Sequence, residues 1–452
     1  ATACACDSGT YDVEGTCTAW TTCLATEAQI VAPTEFTDRE CGCAVDHAFN
    51  GTACEACGSD PVQQIEVSTI AGQVSVWSST DGIGTAASFT YPKGIASIGT
   101  DLYVGGYDDL IRKIDTLTNE VTTIAGTGSS GSTDGIGTAA SFRGPIGITA
   151  IGTNLYVADN SNTQIRKIDT LTNAVTTVAG DGNYGSTDGV GTNARFYSPR
   201  ALTAIGTNLY VTDRSNYMIR KIDTTTNEVT TIAGTGSSGS TDGIGTAASF
   251  DYPEGITAIG TNLYVGDYGN HLIRKIDTTT NEVTTIAGSG STGSADGTGT
   301  AASFNNPADI TAIGTDLFVV DKNNHLLRKI DTLTNEVTTV AGSGLTGATD
   351  GIGTAASFNV PQGITTVGND LYVADTDNHI IRKIDFSSAV PTRLAGDPKE
   401  TATECCVGGF QTAIAATCTA FAKDASSCNA ERKPLIAGDA QTDAQCADTC
   451  AA

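Results

Sequence analysis

The 452-residue chain is poor in basic residues and lacks long apolar runs. Its 24 Lys and Arg face 50 Asp and Glu, which gives a net charge of −26, whereas phosphate binding requires a basic footprint. No apolar run approaches the roughly 20 residues of a transmembrane helix. The composition therefore argues against a nucleic-acid partner and against a membrane span. The chain starts at Ala1 without a signal-peptide pattern, which indicates a processed product or a piece of a longer protein.

Cysteine is absent from the middle of the chain and dense at both ends. Even numbers of Cys in short flanks are typical of disulfide frameworks outside the cell, so we predict an extracellular, cell-surface or appendage location. The predicted disulfide residues are Cys4, Cys6, Cys17, Cys23, Cys41, Cys43, Cys54, Cys57, Cys405, Cys406, Cys418, Cys428, Cys446 and Cys450.

Zinc is the alternative ligand for these thiols, because Cys54-Glu-Ala-Cys57 has metal-ligand spacing. However, no second pair of this kind accompanies it, and His47 is the only His nearby. Disulfides are therefore favoured, and we predict neither a metal site nor a cofactor.

The Cys-free middle of the chain consists of a repeat, seen most clearly over residues 255–304. Successive copies lie 54 residues apart, as between Phe196 and Phe250. A repeat of this length indicates a solenoid, propeller or array. A Phe close before a Pro recurs at Phe89, Phe142, Phe196, Phe250, Phe304 and Phe358. The Arg of an Arg-Lys-Ile-Asp run recurs at Arg112, Arg166, Arg220, Arg274, Arg328 and Arg382.

Each copy contains four short runs rich in Ile, Val, Thr and Tyr, separated by Gly, Asn or Asp, which predicts four strands joined by turns. Radial stacking of such sheets buries their apolar faces and leaves only short edges. The sequence therefore predicts an all-β fold, a six-bladed β-propeller with small disulfide-rich N- and C-terminal modules. The predicted domains are a Cys-rich module at 1–66, the propeller at 67–396 and a second Cys-rich module at 397–452.

The turn after the second run resembles the signature of NHL-repeat propellers. Blades two and three keep the Asp and Asn of this turn but lack the His, and blade one departs furthest with Gly105-Gly106-Tyr107. The resemblance covers roughly residues 67–396 and implies the fold, but one fold hosts many activities. The signature reads Asn270-His271-Leu272, Asn324-His325-Leu326 and Asn378-His379-Ile380.

The N-terminal flank resembles a tumour-necrosis-factor-receptor-type cysteine-rich module. The resemblance rests on Cys17-Thr-Ala-Trp20-Thr-Thr-Cys23 followed by Thr37-Asp38-Arg39-Glu40-Cys41. The C-terminal flank carries a degenerate form of the same pattern. The sequon Asn50-Gly51-Thr52 predicts glycosylation of Asn50.

Two segments compete to close the ring. Val67–Gly72 has a fourth-strand sequence but stands before any first strand, whereas residues 391–396 place Pro391 where other copies have Val. Because Pro removes a ladder donor, we predict that Val67–Gly72 completes blade six.

The loops divide into two faces with different sequences. Connections from first to second and from third to fourth strands are nearly identical among copies, and we call their side the uniform face. Connections from fourth to first and from second to third strands differ, and we call their side the variable face. Seven Tyr outside the repeated strands lie there, and Tyr is enriched where proteins meet partners. The predicted partner-binding residues are Tyr91, Lys93, Tyr107, Arg143, Tyr184, Tyr197, Arg200, Tyr217, Tyr252, Glu254 and Tyr268.

Other motifs favour structural roles. His271, His325 and His379 lie on separate blades, so we expect them to hydrogen-bond a turn rather than ligate a metal. The repeated Thr-Asp-Gly supplies one carboxylate per blade, too few for calcium, and the repeated Arg should pair with carboxylates. We therefore predict no catalytic residues.

Three functions remain open at this point. The favoured one is an extracellular structural or adhesive protein whose propeller is a rigid block and whose Cys-rich ends assemble it, with copies of itself or other extracellular proteins, into a filament or module array. The second is a secreted module that binds a glycan or peptide on the Tyr-rich face. The third is a metal-dependent propeller lyase or lactonase.

Overall fold

The structure, a computed structural model, describes residues 65–386 and, in the N-terminal flank, the backbone of four three-residue strands. Glu27–Gln29 pairs with Cys41–Cys43, and His47–Phe49 pairs with Cys54–Ala56, both antiparallel. The predicted disulfides, the glycosylation of Asn50 and residues 391–396 lie outside the part whose side chains are described.

Residues 65–386 form six five-stranded antiparallel sheets, the blades of a propeller. The first strands line the axis and are Pro92–Ile98, Pro145–Ile151, Pro199–Ile205, Pro253–Ile259, Pro307–Ile313 and Ile364–Val367. The second strands are Asp101–Gly106, Asn154–Asp159, Asn208–Asp213, Asn262–Asp267, Asp316–Asp321 and Asp370–Asp375. The third strands are Ile111–Asp115, Gln164–Asp169, Met218–Asp223, Leu272–Asp277, Leu326–Asp331 and Ile380–Asp385. The fourth strands are Glu120–Ala125, Ala174–Ala179, Glu228–Ala233, Glu282–Ala287, Glu336–Ala341 and, for blade six, Glu66–Gly72.

The prediction of four strands per blade was one strand short. The chain leaving a fourth strand runs along the outside of the next blade before it enters that blade's first strand, and two of its residues pair there. These edge strands are Gly82–Ile83, Gly135–Ile136, Gly189–Val190, Gly243–Ile244, Gly297–Thr298 and Gly351–Ile352. A single 3₁₀ turn follows each of them, at Gly84–Ala86, Gly137–Ala139, Gly191–Asn193, Gly245–Ala247, Gly299–Ala301 and Gly353–Ala355. Five blades also have a 3₁₀ turn between the second and third strands, at Asn160–Asn162, Arg214–Asn216, Tyr268–Asn270, Lys322–Asn324 and Thr376–Asn378.

The N-terminal end of the described segment closes the ring. Glu66–Gly72 pairs antiparallel with Ile380–Asp385 as the fourth strand of blade six, and Gly351–Ile352 pairs with its outer edge. The predicted closure by Val67–Gly72 is therefore confirmed. Because the two ends of the repeat join in one sheet, the third strand of blade six has a neighbour on both sides and no bare edge.

The core lies between adjacent blades. One such layer combines Phe318 and Val320 of blade five with Phe358 and Leu371 of blade six, all buried. Near the axis the first strands approach so closely that a side chain does not fit. A Cβ on Gly363, for example, would lie 1.9 Å from the carbonyl oxygen of Lys93 in the neighbouring blade.

The repeated Arg ties each incoming connection to the blade that it enters. In blade two, Arg166 is fully buried and donates through Nη1 to Asp159 Oδ2 (2.9 Å) and through Nη2 to Asp134 Oδ1 (2.7 Å). Nη1 also donates to the carbonyl oxygen of Ser141 (3.0 Å), and the guanidinium lies 5.2 Å from the ring centre of Phe142. The predicted pairing of these Arg with carboxylates is confirmed.

Blade one lacks half of this network. Its second strand ends at Gly106 where the other blades have a buried Asp, so Arg112 pairs with the half-exposed Asp81 (2.6 Å) and two carbonyl oxygens. The two kinds of blade form a natural comparison, because the same Arg is present with and without a fully buried carboxylate partner.

Replacing Arg274 with Met should cost about 3–5 kcal/mol of unfolding free energy, because Asp267 would keep a buried charge without its partner. The matched Arg112→Met change in blade one should cost clearly less, since Asp81 is exposed to water. Urea unfolding of both variants measures the difference. Equal losses in the two blades would show that hydrogen bonds to the backbone, and not the buried ion pair, hold the connection.

Stability should also depend on pH through the buried carboxylates. Burial outweighs the nearby Arg and raises the pKa of Asp159, Asp213, Asp267 and Asp375 to about 6, compared with about 3.9 in an unfolded chain. Between these values the folded state holds protons that the unfolded state has lost, so the unfolding free energy falls as pH rises through this window.

The exposed turn residues act in the opposite direction. Backbone hydrogen bonds lower the pKa of Asp115 and Asp331, which destabilises the fold when the pH drops below about 4. We therefore expect the urea midpoint to be highest near about pH 4 and to fall between about pH 4 and 6. A midpoint that rises steadily from pH 4 to 7 would contradict the direction of the buried Asp shifts.

Candidate functional site

The structure brings the predicted Tyr residues of both loop sets together on the variable face. Tyr91 and Tyr107 have ring centres 6.2 Å apart, and Tyr217 and Tyr252 have ring centres 5.1 Å apart. In each of these two pairs, one ring comes from a fourth-to-first connection and the other from a second-to-third connection. Tyr184 and Tyr197, both in one connection, lie 4.8 Å apart.

Exposure differs among these rings. Tyr184, Tyr107, Tyr197 and Tyr252 are 65%, 55%, 42% and 36% exposed, which is high for side chains with such large apolar area. Tyr91, Tyr217 and Tyr268 are half-buried. The half-buried rings pack beside the exposed ones, and partner binding by the exposed rings stays a prediction.

Trp77 belongs to this face, although it was not among the predicted residues. It is 70% exposed, and its ring centre lies 5.9 Å from Tyr91 and 5.8 Å from His379. The sequence carried a signal for it, because Val74-Ser75-Val76-Trp77 replaces the Gly- and Ser-rich connection of the other copies. Trp77, Tyr91 and Tyr107 form what we call the aromatic platform of blade one.

Three of these Tyr, including Tyr217 with φ of 57°, have a strained backbone. Tyr91 and Tyr252 precede the repeated Pro with φ of 48° and 50°, in the left-handed region that favours Gly and Asn. The equivalent residue in blade two is Gly144 and in blade five Asn306. Because the loop geometry does not require Tyr, these side chains are explained better by what their rings contact.

Cationic side chains cover several rings. Lys93 Nζ lies 4.1 Å from the ring centre of Tyr107, and the Arg214 guanidinium lies 4.4 Å from that of Tyr252. Lys322 Nζ contacts the hydroxyl of Tyr268 at 3.3 Å. Contacts of this kind orient rings as well as attract them. The predicted Arg143 is exposed on the same face, and its main-chain N–H donates to Asp159 Oδ1 (2.7 Å).

Lys93, Arg200, Glu254 and Gln362 form a polar cluster at the axis, which we call the axial cluster. Each directly follows the repeated Pro of its own blade. Lys93 Nζ and Arg200 Nη2 both donate to Gln362 Oε1, at 3.2 and 2.7 Å. Glu254 Oε1 accepts from Arg214 Nε (2.9 Å), while its Oε2 has no hydrogen bond and lies 3.4 Å from Arg200 Nη2.

A cavity of about 210 Å³ in the channel is lined by the first strands of the blades and by three members of the axial cluster, Lys93, Arg200 and Gln362. Asp309 also lies in the lining, and its Oδ2 accepts from the main-chain N–H of Ile364 (3.0 Å). Burial raises the pKa of Asp309 to about 7. Burial and then the repulsion of Arg200 lower the pKa of Lys93 to about 7.

Glu254 remains a carboxylate in this environment. Burial alone would raise its pKa, but Arg200 and Arg214 together lower it below the usual value. Two groups here, Lys93 of the cluster and Asp309 of the cavity lining, thus have a pKa near neutral pH. The sequence pointed to Lys93, Arg200 and Glu254 as site residues, but not to Gln362 or Arg214, which connect them.

The three NHL His residues have a structural role, although their partner differs from the expected one. Each accepts through Nδ1 from the main-chain N–H of the residue before the next blade's Pro position, as His379 does from Tyr91 (3.1 Å). Burial lowers the pKa of all three. These bonds fix the variable-face loops of adjacent blades to each other.

The repeated Thr-Asp-Gly carboxylates hold the Arg network. Asp134, for example, accepts from Arg166 and from the Thr177 hydroxyl (3.0 Å). Within residues 65–386, no three His, Cys, Asp or Glu side chains come together as a metal site would require. Among the described residues, no helix is long and apolar enough to cross a bilayer. The absence of enzymatic activity stays a prediction.

Comparison with known proteins identifies relatives of the propeller. Residues of this chain are 29% identical over 292 positions to Protein SUPPRESSOR OF QUENCHING 1, chloroplastic, from Arabidopsis thaliana, covering 60% of this chain and 28% of that protein. They are 29% identical over 299 positions to NHL repeat-containing protein 2 from Homo sapiens, covering 57% and 41%. No model of a known protein family matches the chain.

Solved structures share the fold. An auxiliary nutrient binding protein from Bacteroides ovatus superposes with a TM-score of 0.55 at 19% identity, covering 71% of this chain and 76% of that one. A structural genomics protein from Bacteroides thetaiotaomicron gives 0.56 at 24% identity, covering 71% and 75%. The described chain is a six-bladed propeller with NHL-repeat relatives. It spans less than half the length of the curated relatives above, so their activities as whole proteins do not transfer to it.

Proposed function

We propose that the protein is a recognition module that binds glycans through the variable face. The observation that carries this proposal is the aromatic platform, where the exposed Trp77 and Tyr107 flank the half-buried Tyr91 beside the axial cluster. An indole or phenol ring offers an apolar surface that stacks on the C–H face of a sugar, and its polar edge stays in contact with water or with hydroxyl groups.

The arrangement fits a sugar better than an apolar ligand. Rigid aromatic surface stands next to hydrogen-bonding groups, because Lys93 contacts the ring of Tyr107 and donates to Gln362. Ligand sites of proteins combine these two features, with the polar groups fixing orientation. The left-handed backbone at Tyr91 and Tyr252 supports a role for the rings themselves, since the loops do not need Tyr to adopt their conformation.

The Cys-rich flanks support an extracellular location for this module, because disulfide frameworks persist in oxidising compartments. A structural or adhesive role through assembly is the second candidate. The observation that favours it is on the uniform face, where Leu117, Leu171 and Leu333 are 82%, 80% and 81% exposed. Apolar side chains exposed at equivalent positions offer a contact surface for copies of the chain.

Glycan-array binding of the whole protein tests the first candidate. We expect a restricted set of glycans to bind, and the double variant Trp77→Ala, Tyr107→Ser to lose at least about 2 kcal/mol of binding free energy, roughly a thirtyfold loss of affinity. Its melting temperature should change little, because both side chains are exposed.

The matched control replaces Leu117 and Leu171 with Ser on the uniform face, which should leave glycan binding unchanged. If that control abolishes self-association while neither the wild type nor any variant binds a glycan, the assembly candidate is the correct one. If the aromatic variant unfolds, the rings are packing residues.

A further inference from the structure

The basic residues of the propeller have a one-sided distribution. Apart from the Arg-Lys pairs of the third strands, all Lys and Arg between residues 65 and 386 lie in variable-face connections or directly at their ends. They are Lys93, Arg143, Arg195, Arg200, Arg214 and Lys322. The molecule carries a net charge of −26, so these six cations stand out against an acidic background.

We propose that the axial cluster binds the carboxylate of a terminal acidic sugar, so that the ligand class of the variable face is an oligosaccharide ending in one such sugar. This inference rests on the proposed function. We specify a single acidic group because the negative charge of the rest of the molecule would repel a polyanion. This repulsion acts over about one Debye length, which is longer at low salt.

The cations of the cluster are incompletely neutralised by their partners. Lys93 and Arg200 both donate to one neutral oxygen, Gln362 Oε1. Glu254 makes its close ion pair with Arg214 at 2.9 Å and its longer one with Arg200 at 3.4 Å. A ligand carboxylate between Lys93 and Arg200 would give both of them a charged acceptor, which makes hydrogen bonds about twice as strong as a neutral one.

Glu254, the acid of the cluster, complements the hydroxyl groups of such a sugar. Glu254 is 3% exposed, and its Oε2 makes no hydrogen bond within the described chain. A buried carboxylate oxygen without a donor is costly, and a sugar hydroxyl would supply that donor. An acidic sugar therefore offers both complementary groups, a carboxylate for the two cations and hydroxyls for the acid.

The cavity sets the size of what enters. Its volume of about 210 Å³ lies below the roughly 300–1,000 Å³ of pockets that enclose a whole small-molecule ligand. That space accepts the end of a ligand, not a chain. Lys93 links it to the platform, because the same Nζ that donates to Gln362 lies 4.1 Å from the ring centre of Tyr107. The terminal sugar would enter the mouth while the next sugars stack on the platform.

Two groups at the site titrate near neutral pH, so the binding of a charged ligand should depend on pH. Lys93 faces Arg200, Lys322, Glu254 and Asp377, and its pKa is about 7. Asp309, with a pKa also of about 7, becomes neutral as the pH falls. Lowering the pH from 8 to 6 thus adds a positive charge and removes a negative one. An anionic ligand should bind more tightly at pH 6, whereas a neutral one should not respond.

Titration calorimetry on the whole protein tests the inference with two probes, sialyllactose and a trisaccharide ending in glucuronic acid, each as the free acid and as its carboxyl methyl ester. For at least one probe we expect the acid to bind at least tenfold more tightly than the ester at pH 6, and this preference to shrink at pH 8. Lys93→Met and Arg200→Met should each reduce the preference at least fivefold. Arg195→Met, which removes an exposed cation paired with Asp181 on the same face, should leave it intact.

The possible outcomes distinguish the carboxylate site from glycan recognition by the variable face as a whole. Equal binding of acid and ester, with Trp77→Ala still weakening both, overturns the carboxylate site and leaves glycan recognition in place. No binding of any glycan overturns both. Preferential binding of an acidic peptide, such as tetraglutamate, over the acid-ended sugars overturns the sugar and assigns the cluster to a protein partner. Should Lys93→Met fail to fold, the pH dependence of the acid–ester difference in the wild type decides, because a site without Lys93 and Asp309 has no reason to show it.

Discussion

The buried Arg of each third strand is the interaction on which the rest of the propeller depends. A guanidinium removed from water must find acceptors for its protons. Arg166 finds them at two points of the incoming connection, Asp134 and Ser141, and at Asp159, the end of the second strand. Satisfying the charge therefore fixes the end of the second strand, the incoming connection and the turn before the first strand at once. Its ring contact with Phe142 places the same side chain against the layer between blades.

A scaffold held in this way leaves its variable-face loops free to differ. The network uses main-chain carbonyls and the repeated Asp residues, none of which restrict the side chains around the repeated Pro. The His bonds between blades use main-chain N–H groups, as between His379 and Tyr91, so they too are indifferent to the side chain that they hold. This explains why residues as different as Tyr, Gly, Asn and Val occupy one position, even at a positive φ that disfavours most of them.

Much of the fold could be predicted because repetition multiplies a weak signal. One alternating Ile-Val-Thr run is ambiguous, but six copies at one spacing fix the blade count, and Pro391 decided between the closing strands. The edge strand was missed because Gly82–Ile83 is too short to show a period. Trp77 was missed because the prediction rested on Tyr alone, although the connection that holds Trp77 differs in composition from the Gly- and Ser-rich ones. The sharing of Gln362 by Lys93 and Arg200 could not be predicted, since it depends on the rotamers of side chains that come from blades six, one and three.

The axial cluster shows how a nearly symmetric ring produces an asymmetric site. Rotation from blade to blade brings the residue after each repeated Pro to the same mouth, so six equivalent positions form one small group of neighbours. Their identities are Lys93, Ile146, Arg200, Glu254, Ala308 and Gln362. Identical residues there would place like charges together at a cost of several kcal/mol or leave the mouth apolar. One substitution per copy instead gives a mixed set of two cations, an acid and an amide, with the apolar members leaving room beside them. Internal duplication thus supplied six interchangeable positions around one point, and divergence at a single position of the repeat was sufficient to make that point specific.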